Sequence, residues 1–296
     1  MIYVLGGSAS TGLAFKVARA GGFPVIHLES RRFPDGEQYL RILDDVEGRD
    51  VAVIQSMYRA PDQHLLEYVF LVKTLKELGV NRVVGVIPYF PYARQDSRFN
   101  PGEVVSLNVV ADLVESAGTD EVITVDMHLH RFGDVKDVFK IPARNLSAVE
   151  AVARYVKSRY ELSNPVVVGP DEEAEQWAKK AAAVLGTEYD VLEKRRIDAE
   201  NVVIEARRAS VGGRDVFIID DIISTGGTIV ESIRALKRLK AEKIVVGCIH
   251  PILAGNALAK IFRTGAYDVI GTDTVPSPIS YVTVAEVIAE ALKQLA

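Results

Sequence analysis

A single cysteine, Cys248, stands among 296 residues, so no internal disulfide can form. It lies in the apolar run Ile244–Ile249, where a packed core thiol is expected. No apolar stretch reaches the ~18 residues that a membrane span needs. The opening MIYVLGGSAS lacks both a basic segment and a long apolar core, so no signal peptide is expected. The expected compartment is the cytoplasm. Lysine and arginine (35) are outnumbered by aspartate and glutamate (40), giving a formal net charge of −5. That balance argues against a nucleic-acid partner gripped by bulk electrostatics, and no helix-turn-helix segment or basic stripe is present. Histidine is scarce too: beyond His128 and His130 none is clustered, which disfavours a zinc centre. His27, His64 and His250 suit packing or surface roles.

What remains is an ordinary soluble composition, long enough for two domains that each bury a core. Strand-like apolar runs recur at Tyr3–Leu5, Val51–Gln55, Val83–Ile87, Val122–Val125, Val166–Val168, Val216–Ile219, Ile244–Ile249 and Val269–Ile270. Amphipathic segments such as Leu65–Leu78 and Ser106–Ala117 lie between them. The alternation predicts an α/β fold of mainly parallel sheets covered by helices. Two halves are expected, 1–142 and 143–296, each presenting loops at the carboxyl ends of its strands, where open α/β sheets bind ligands.

The most informative stretch is VFIIDDIISTGGTIVESIRALKRL, Val216 to Leu239. A β-branched run is expected to form a strand, Asp220 and Asp221 to follow it, and Ile229, Ile233, Leu236 and Leu239 to mark a helix. Between them, Gly226 and Gly227 let backbone N–H groups close on a phosphate, with Ser224, Thr225 and Thr228 adding hydroxyl donors at the positive end of the helix dipole. No lysine follows the second glycine, so this is not the Walker-type loop. Paired carboxylates beside a phosphate cradle need another task, such as gripping sugar hydroxyls or Mg²⁺.

Other polar loops are less specific alone. Phe33-Pro34-Asp35-Gly36-Glu37 marks a turn able to stack on and hydrogen-bond a base, although a plain surface hairpin reads similarly. Gln55-Ser56 sits where a second phosphate-type loop would. After Val83–Ile87, an aromatic, proline-rich loop delivers Arg94, Gln95 and Asp96, a fork and an amide suited to nucleotide phosphate or base. Asp126-Met127-His128 ends another strand. Asp171, after Gly169-Pro170, is either a Mg²⁺ or water ligand or a helix N-cap. Glu193-Lys194-Arg195-Arg196-Ile197-Asp198 is either solvated charge or a set of cations that close over a polyphosphate.

In this order and spacing, the FPDGE, YARQD, DMH, GPD, KRR and DDIISTGGT segments resemble the ribose-phosphate diphosphokinases, or phosphoribosyl-diphosphate (PRPP) synthases, over essentially the whole chain. The RRFPDGE and RFNPGE loops and the ending GTDTVPSPISYVTVAEVIAEAL resemble archaeal members most. The resemblance implies two similar phosphoribosyltransferase-type domains, with a final helix at 283–296 that is a candidate to pack on the N-terminal one. It implies transfer of diphosphate from ATP to the C1 hydroxyl of ribose 5-phosphate, with Mg²⁺, in a homo-oligomer whose ATP site is shared between subunits. Phe33, Asp35, Glu37, Arg94, Gln95, Asp96 and His128 would then bind ATP, and His128 and Asp171 would face Mg²⁺. Lys194 and Arg196 would be catalytic. Asp220, Asp221, Ser224, Thr225, Gly226, Gly227 and Thr228 would hold ribose 5-phosphate. The chain departs from many members by Ser224 for an aspartate, Glu172-Glu173 for a glycine pair, and a Ser97–Glu103 loop without the lysines of phosphate-activated, ADP-inhibited members. Three readings rank below. A type I phosphoribosyltransferase needs only one such domain, a non-catalytic relative would lose Lys194, Arg196, His128 or Asp171, and a PRPP-sensing regulator needs a DNA-binding module.

Overall fold

A computed structural model describes residues 1–129, 131–196, 202–206 and 211–295, with only the backbone described for 194–196 and 202–206. The chain opens with β1 (Ile2–Gly6), α1 (Thr11–Gly21), β2 (Val25–Ile26), β3 (Leu28–Arg32), β4 (Gln38–Ile42), β5 (Asp50–Ile54), α2 (Pro61–Glu77), β6 (Arg82–Ile87), α3 (Ser106–Ser116), β7 (Glu121–Val125) and β8 (Ala143–Leu146). It continues with α4 (Val149–Arg159), β9 (Val166–Gly169), α5 (Glu175–Leu185), β10 (Tyr189–Arg196), β11 (Val202–Ala206), β12 (Val216–Ile223), α6 (Gly227–Arg238), β13 (Ile244–Pro251), α7 (Ala257–Thr264), β14 (Asp268–Thr272), β15 (Ser280–Val282) and α8 (Ala285–Lys293). Two compact units result: Met1–Ser147 together with the segment from Val284, and Ala148–Thr283.

Each unit is a parallel sheet. The first has the order β2-β1-β5-β6-β7-β8, and the second β11-β10-β9-β12-β13-β14-β15, in which only β10 and β11 pair antiparallel. Read from β2 in one and β10 in the other, the two sheets share one topology. A hairpin interrupts both at the same point: β3–β4 before β5, and β10–β11 before β12. The two-fold likeness, invisible in residue identities, is plain in strand order.

Burial explains the composition of the strands. Val51 to Ile54, Val83, Val84, Val216 to Ile219 and Ile244 to Val246 are essentially without exposure, as strands covered by helices on both faces must be. The predicted strands all appear, with one correction at the centre. β12 does not stop at Ile219 but runs on through Asp220-Asp221-Ile222-Ile223, whose register with β13 pairs Asp220 with Cys248 and Ile222 with His250. The apolar Ile222 and Ile223 sustain the strand past the acids. Cys248 is fully buried, as expected, and burial followed by the charge of Asp220 pushes its thiol well above its ordinary range. Sequence pattern missed β2, β3, β4, β8, β10, β11 and β15, which are short, half-exposed or interrupted by charged residues.

α8 returns to the first unit and packs along α1. Ile288 and Leu292 are fully buried, and α8 is tied at its end by Lys293 Nζ to Ala20 O (3.5 Å), Arg82 Nη1 to Leu295 O (3.4 Å) and Arg144 Nη1 to Gln294 Oε1 (3.3 Å). The same two arginines grip the buried Glu121 at 2.6 and 2.9 Å, so the helix end and the β6–β7–β8 edge share one polar knot. Leu292→Ala should cost about 2–5 kcal/mol, the usual range for truncating a buried leucine. Thermal unfolding followed by far-UV circular dichroism would show it as a lowered midpoint, and an unchanged midpoint would mean that α8 contributes little to the first unit.

Candidate active site

In both units the loops of interest emerge at the carboxyl edge of the sheet, where four of the six described non-glycine residues with positive φ lie; Asn164 and Lys240 lie at the opposite edge. Arg59 (φ 58°) follows β5, Tyr92 (60°) follows β6, Asp126 (36°) follows β7 and Leu253 (52°) follows β13. Left-handed backbone is costly for such residues and persists where surroundings over-determine it.

In the second unit, β12 delivers Asp220, half-buried, and Asp221, buried, directly into the loop before α6. Asp220 Oδ1 accepts the N–H of Asp221 at 3.0 Å. Burial first, then the charges of Asp221 and Asp171, hold the Asp220 carboxyl well above its usual range. Asp171 therefore faces the pair electrostatically, as expected for the loop after β9, the strand beside β12. Its side chain also caps a short 3₁₀ turn by accepting from Ala174 N–H at 3.2 Å, the N-cap role that the sequence offered. That turn also resolves the Glu172-Glu173 departure. Neither residue has positive φ, so the glycine pair is not demanded by this backbone.

The start of α6 is a ready anion cradle. Gly226 takes φ 77°, and a Cβ there would stand 3.2 Å from Ile261 Cδ1 and 3.4 Å from Ala257 Cβ, so glycine is required on both conformational and packing grounds. No side chain caps the helix, leaving its first N–H groups for a ligand. Thr225, Gly227 and Thr228 are exposed, and Ser224 is half-buried with its carbonyl accepting from Ala254 N–H at 3.0 Å.

The first unit arranges a different set. The hairpin β3–β4 turns through Phe33 to Glu37, closed by Phe33 N–H to Glu37 O (2.8 Å) and Gly36 at φ 97°. Asp35 Oδ1 accepts from Glu37 N–H at 3.1 Å. Arg31 lies over the rings of Phe33 (4.8 Å) and Tyr39 (4.2 Å), which meet edge-on. Arg94 is exposed and Gln95 half-buried. Asp96 is engaged by Arg131 at 3.3 Å, and Arg131 also covers Phe99. His128 is half-buried behind Asp126, whose strained backbone is locked by Ser147 Oγ to Asp126 Oδ1 (2.9 Å), while Asn145 Oδ1 accepts Met127 N–H (2.9 Å). His130 lies outside the described residues. Lys194 and Arg196 lie on the backbone of β10, their side chains outside the described set. Among the described residues, no three His, Cys, Asp or Glu side chains form a metal cluster.

Two features escaped the sequence reading. Glu67, buried in α2, takes Ser8 N–H (2.7 Å) and Ser8 Oγ (2.5 Å) at the loop after β1. Its signal was a carboxylate on the same helical stripe as Leu71 and Leu75. Asn145, which pins the strand end carrying His128, gave no signal.

The description of the N-terminal domain of ribose phosphate pyrophosphokinase matches residues 2–118, and that of the phosphoribosyl transferase domain matches 134–280. A ribose-phosphate pyrophosphokinase of Methanothermobacter thermautotrophicus is 42% identical over 98% of this chain and 99% of its own length. The chain belongs to the ribose-phosphate pyrophosphokinase family. Ribose-phosphate pyrophosphokinase 1 of Archaeoglobus fulgidus is 39% identical across 99% of this chain and all of its own. The crystal structure of phosphoribosylpyrophosphate synthetase from Mycobacterium smegmatis superposes with a TM-score of 0.87 at 28% identity, covering 99% of this chain and 98% of its own. Membership sets aside the single-domain transferase and the DNA-binding regulator, since the likeness runs end to end.

In a family member the crowded acids should trade stability for use. Asp220→Asn keeps the acceptor for Asp221 N–H while removing charge that burial and two neighbouring carboxylates disfavour. The variant should melt a few degrees higher and use ribose 5-phosphate poorly, read by calorimetry and steady-state kinetics. A lower melting point would contradict the electrostatic reading.

Proposed function

We propose that this enzyme, which makes PRPP from ATP and ribose 5-phosphate and releases AMP, holds the sugar phosphate on the segment from Asp220 to Thr228. The observation that carries the reading is the meeting, at one strand end, of an acid pair with the uncapped start of a helix. Carboxylates of Asp220 and Asp221 accept hydrogen bonds from the 2- and 3-hydroxyls. Hydroxyls of Ser224, Thr225 and Thr228, with N–H groups at Gly226 and Gly227, donate to the 5-phosphate, whose charge the helix dipole favours. The two grips lie at opposite ends of the sugar and so orient the C1 hydroxyl. Its oxygen bonds to the β-phosphorus of ATP as the bond to the bridging α-phosphate oxygen breaks, and AMP departs with that oxygen.

Phe33, Asp35 and Glu37 are read as the adenine contact, made across a subunit boundary in a homo-oligomer. Arg94, Gln95, Asp96 and His128 are read as the nucleotide's phosphate and ribose side. Asp96 in that role shares its charge with Arg131. Lys194 and Arg196 stabilise negative charge on the departing oxygen. A divalent ion fits the donors available. Asp171 is a half-exposed, hard oxygen donor within electrostatic reach of Asp220, and Mg²⁺ is commonly held by one or two carboxylates plus substrate phosphates rather than by a complete protein cage. Asp171 would hold it, and bound Mg²⁺ would supply charge neutralisation to the triphosphate. Among the described residues no helix is long and apolar enough to cross a membrane, and the substrates imply the cytoplasm.

Incubation with ATP, ribose 5-phosphate and Mg²⁺ should yield AMP and PRPP in equal amounts by chromatography. AMP without PRPP would leave a hydrolase instead. Lys194→Ala should lower kcat by about 10²–10³-fold with little change in KM, the scale for losing one preorganised charge-stabilising group. A raised KM at normal kcat would make Lys194 a binding residue. For the shared adenine contact, co-assembled Phe33→Ala/Glu37→Ala and Lys194→Ala subunits should regain activity that neither has alone. Failure of mixed oligomers to recover would place the contact within one chain.

A further inference from the structure

Helices α6 and α7 pack side by side in the second unit and flank an open surface cavity of about 530 Å³ lined by Val230, Arg234, Lys260, Arg263 and Thr264. Three of the five are cations, all exposed, and among the described residues none has an acidic partner or hydrogen-bonds through its side chain. Some cations of the unit are paired, Arg154 with Glu150 (2.6 Å), Arg214 with Glu188 and Lys243 with Asp215 (4.0 Å), while others, such as Lys179 and Lys180 on α5, also lack an acidic partner among the described residues. What sets Arg234, Lys260 and Arg263 apart is convergence: on a chain of net charge −5, three cations from two elements line one concavity.

Helix electrostatics accounts for part of the neighbourhood only. Lys237 and Arg238 occupy the last turn of α6 and Arg263 the last turn of α7, where a cation complements the negative pole. Lys237 does so visibly, its ammonium lying against Gly265 at the α7 end. Arg234 and Lys260 lie further back, where the dipole gives no such reward. Thr264 Oγ1 is committed to Lys260 O at 2.8 Å, so recognition here rests on charge and on the guanidinium forks.

We propose that this cavity is a second anion site, taking a phosphate-bearing small molecule on Arg234, Lys260 and Arg263, separate from the sugar-phosphate loop. Its position is pointed. Val230 donates its N–H to Gly226 O at 3.0 Å, so the cavity begins one helical turn behind that loop. From α7, Ala257 and Ile261 press on Gly226 itself. An occupant drawn between the helices sits directly behind the glycine that shapes the cradle.

Inorganic diphosphate titrated calorimetrically into the whole protein, into Arg234→Ala/Arg263→Ala and into Lys179→Ala/Lys180→Ala tests it. The last pair is exposed on α5 and removes the same charge elsewhere. The sugar-phosphate loop is intact in all three, so its own uptake of the probe cancels. The expected result is a binding phase common to wild type and the α5 variant, weakened at least tenfold in Arg234→Ala/Arg263→Ala. Three identical isotherms would overturn the site. Equal weakening in both variants would also overturn it, because net charge alone would then attract the anion. Competition of that phase by inorganic phosphate or by ADP separates a free phosphate from a nucleotide as the source.

Discussion

Asp171, Asp220 and Asp221 bring like charge to two adjacent parallel strands near their carboxyl ends, and burial first, then these neighbours, oppose ionisation of Asp220. Left to themselves such groups would part or take up protons. They stay together because β12 is fixed on both flanks, by β9 through Ile218 and by β13 from Val216 as far as Ile223. The residues behind them are buried and cannot yield. Under the proposed reading, a sugar's hydroxyl donors and a divalent cation would relieve this repulsion, so the site would be most comfortable with its ligands in place. The glycine loop follows from the same frame. With the strand running to Ile223, only a left-handed residue at 226 turns the chain into α6 without displacing Ile261.

The first unit shows what the same topology becomes when that constraint is lifted. Where β12 carries acids near its end, β5 is followed by Gln55-Ser56. Where α6 starts on two glycines, α2 starts on Pro61, with the left-handed turn taken by Arg59. At the loop after β1, which corresponds to the Asp171 loop after β9, the carboxylate comes from inside. Glu67 satisfies the Ser8 N–H and hydroxyl, filling with a protein group the kind of donor site that a ligand anion would otherwise use. One unit thus leaves its helix start uncapped beside exposed hydroxyls, and the other ties several strand ends up in internal bonds while keeping Arg94 on the surface.

How far the sequence reached follows from the same physics. Strands buried on both faces announce themselves as β-branched runs, so the central strands of both sheets were legible. The acid pair and hydroxyl-glycine loop were legible because their chemistry is carried by consecutive residues. β3, β4 and β15 were not, since half-exposed strands lack an apolar run. The extension of β12 was masked because two aspartates look like the end of a strand unless Ile222 and Ile223 are given weight. Asn145 and Glu67 act across about 20 and 59 positions of sequence respectively, and contacts of that range leave no local pattern. Asp96 was visible as a residue, but its pairing with Arg131 was not.

The two hairpins show how the duplicated frame could serve unlike ends. β10 pairs with β9 as well as β11, so the arm bearing Lys194 and Arg196 is rooted in its own sheet. β3 and β4 pair only with each other, so the arm bearing Phe33 is not. Yet its tip is stiffened: Arg31 bridges Phe33 and Tyr39, Arg32 donates to Gly36 O at 2.8 Å, and Asp35 closes on Glu37. Ordering exposed side chains costs conformational entropy. A tip held in shape while its aromatic ring stays exposed has that cost met in advance of any contact. An adenine ring stacked on Phe33 would find its surface already formed, and a hairpin free of its own sheet is the element of this chain best placed to offer that surface to a neighbouring subunit.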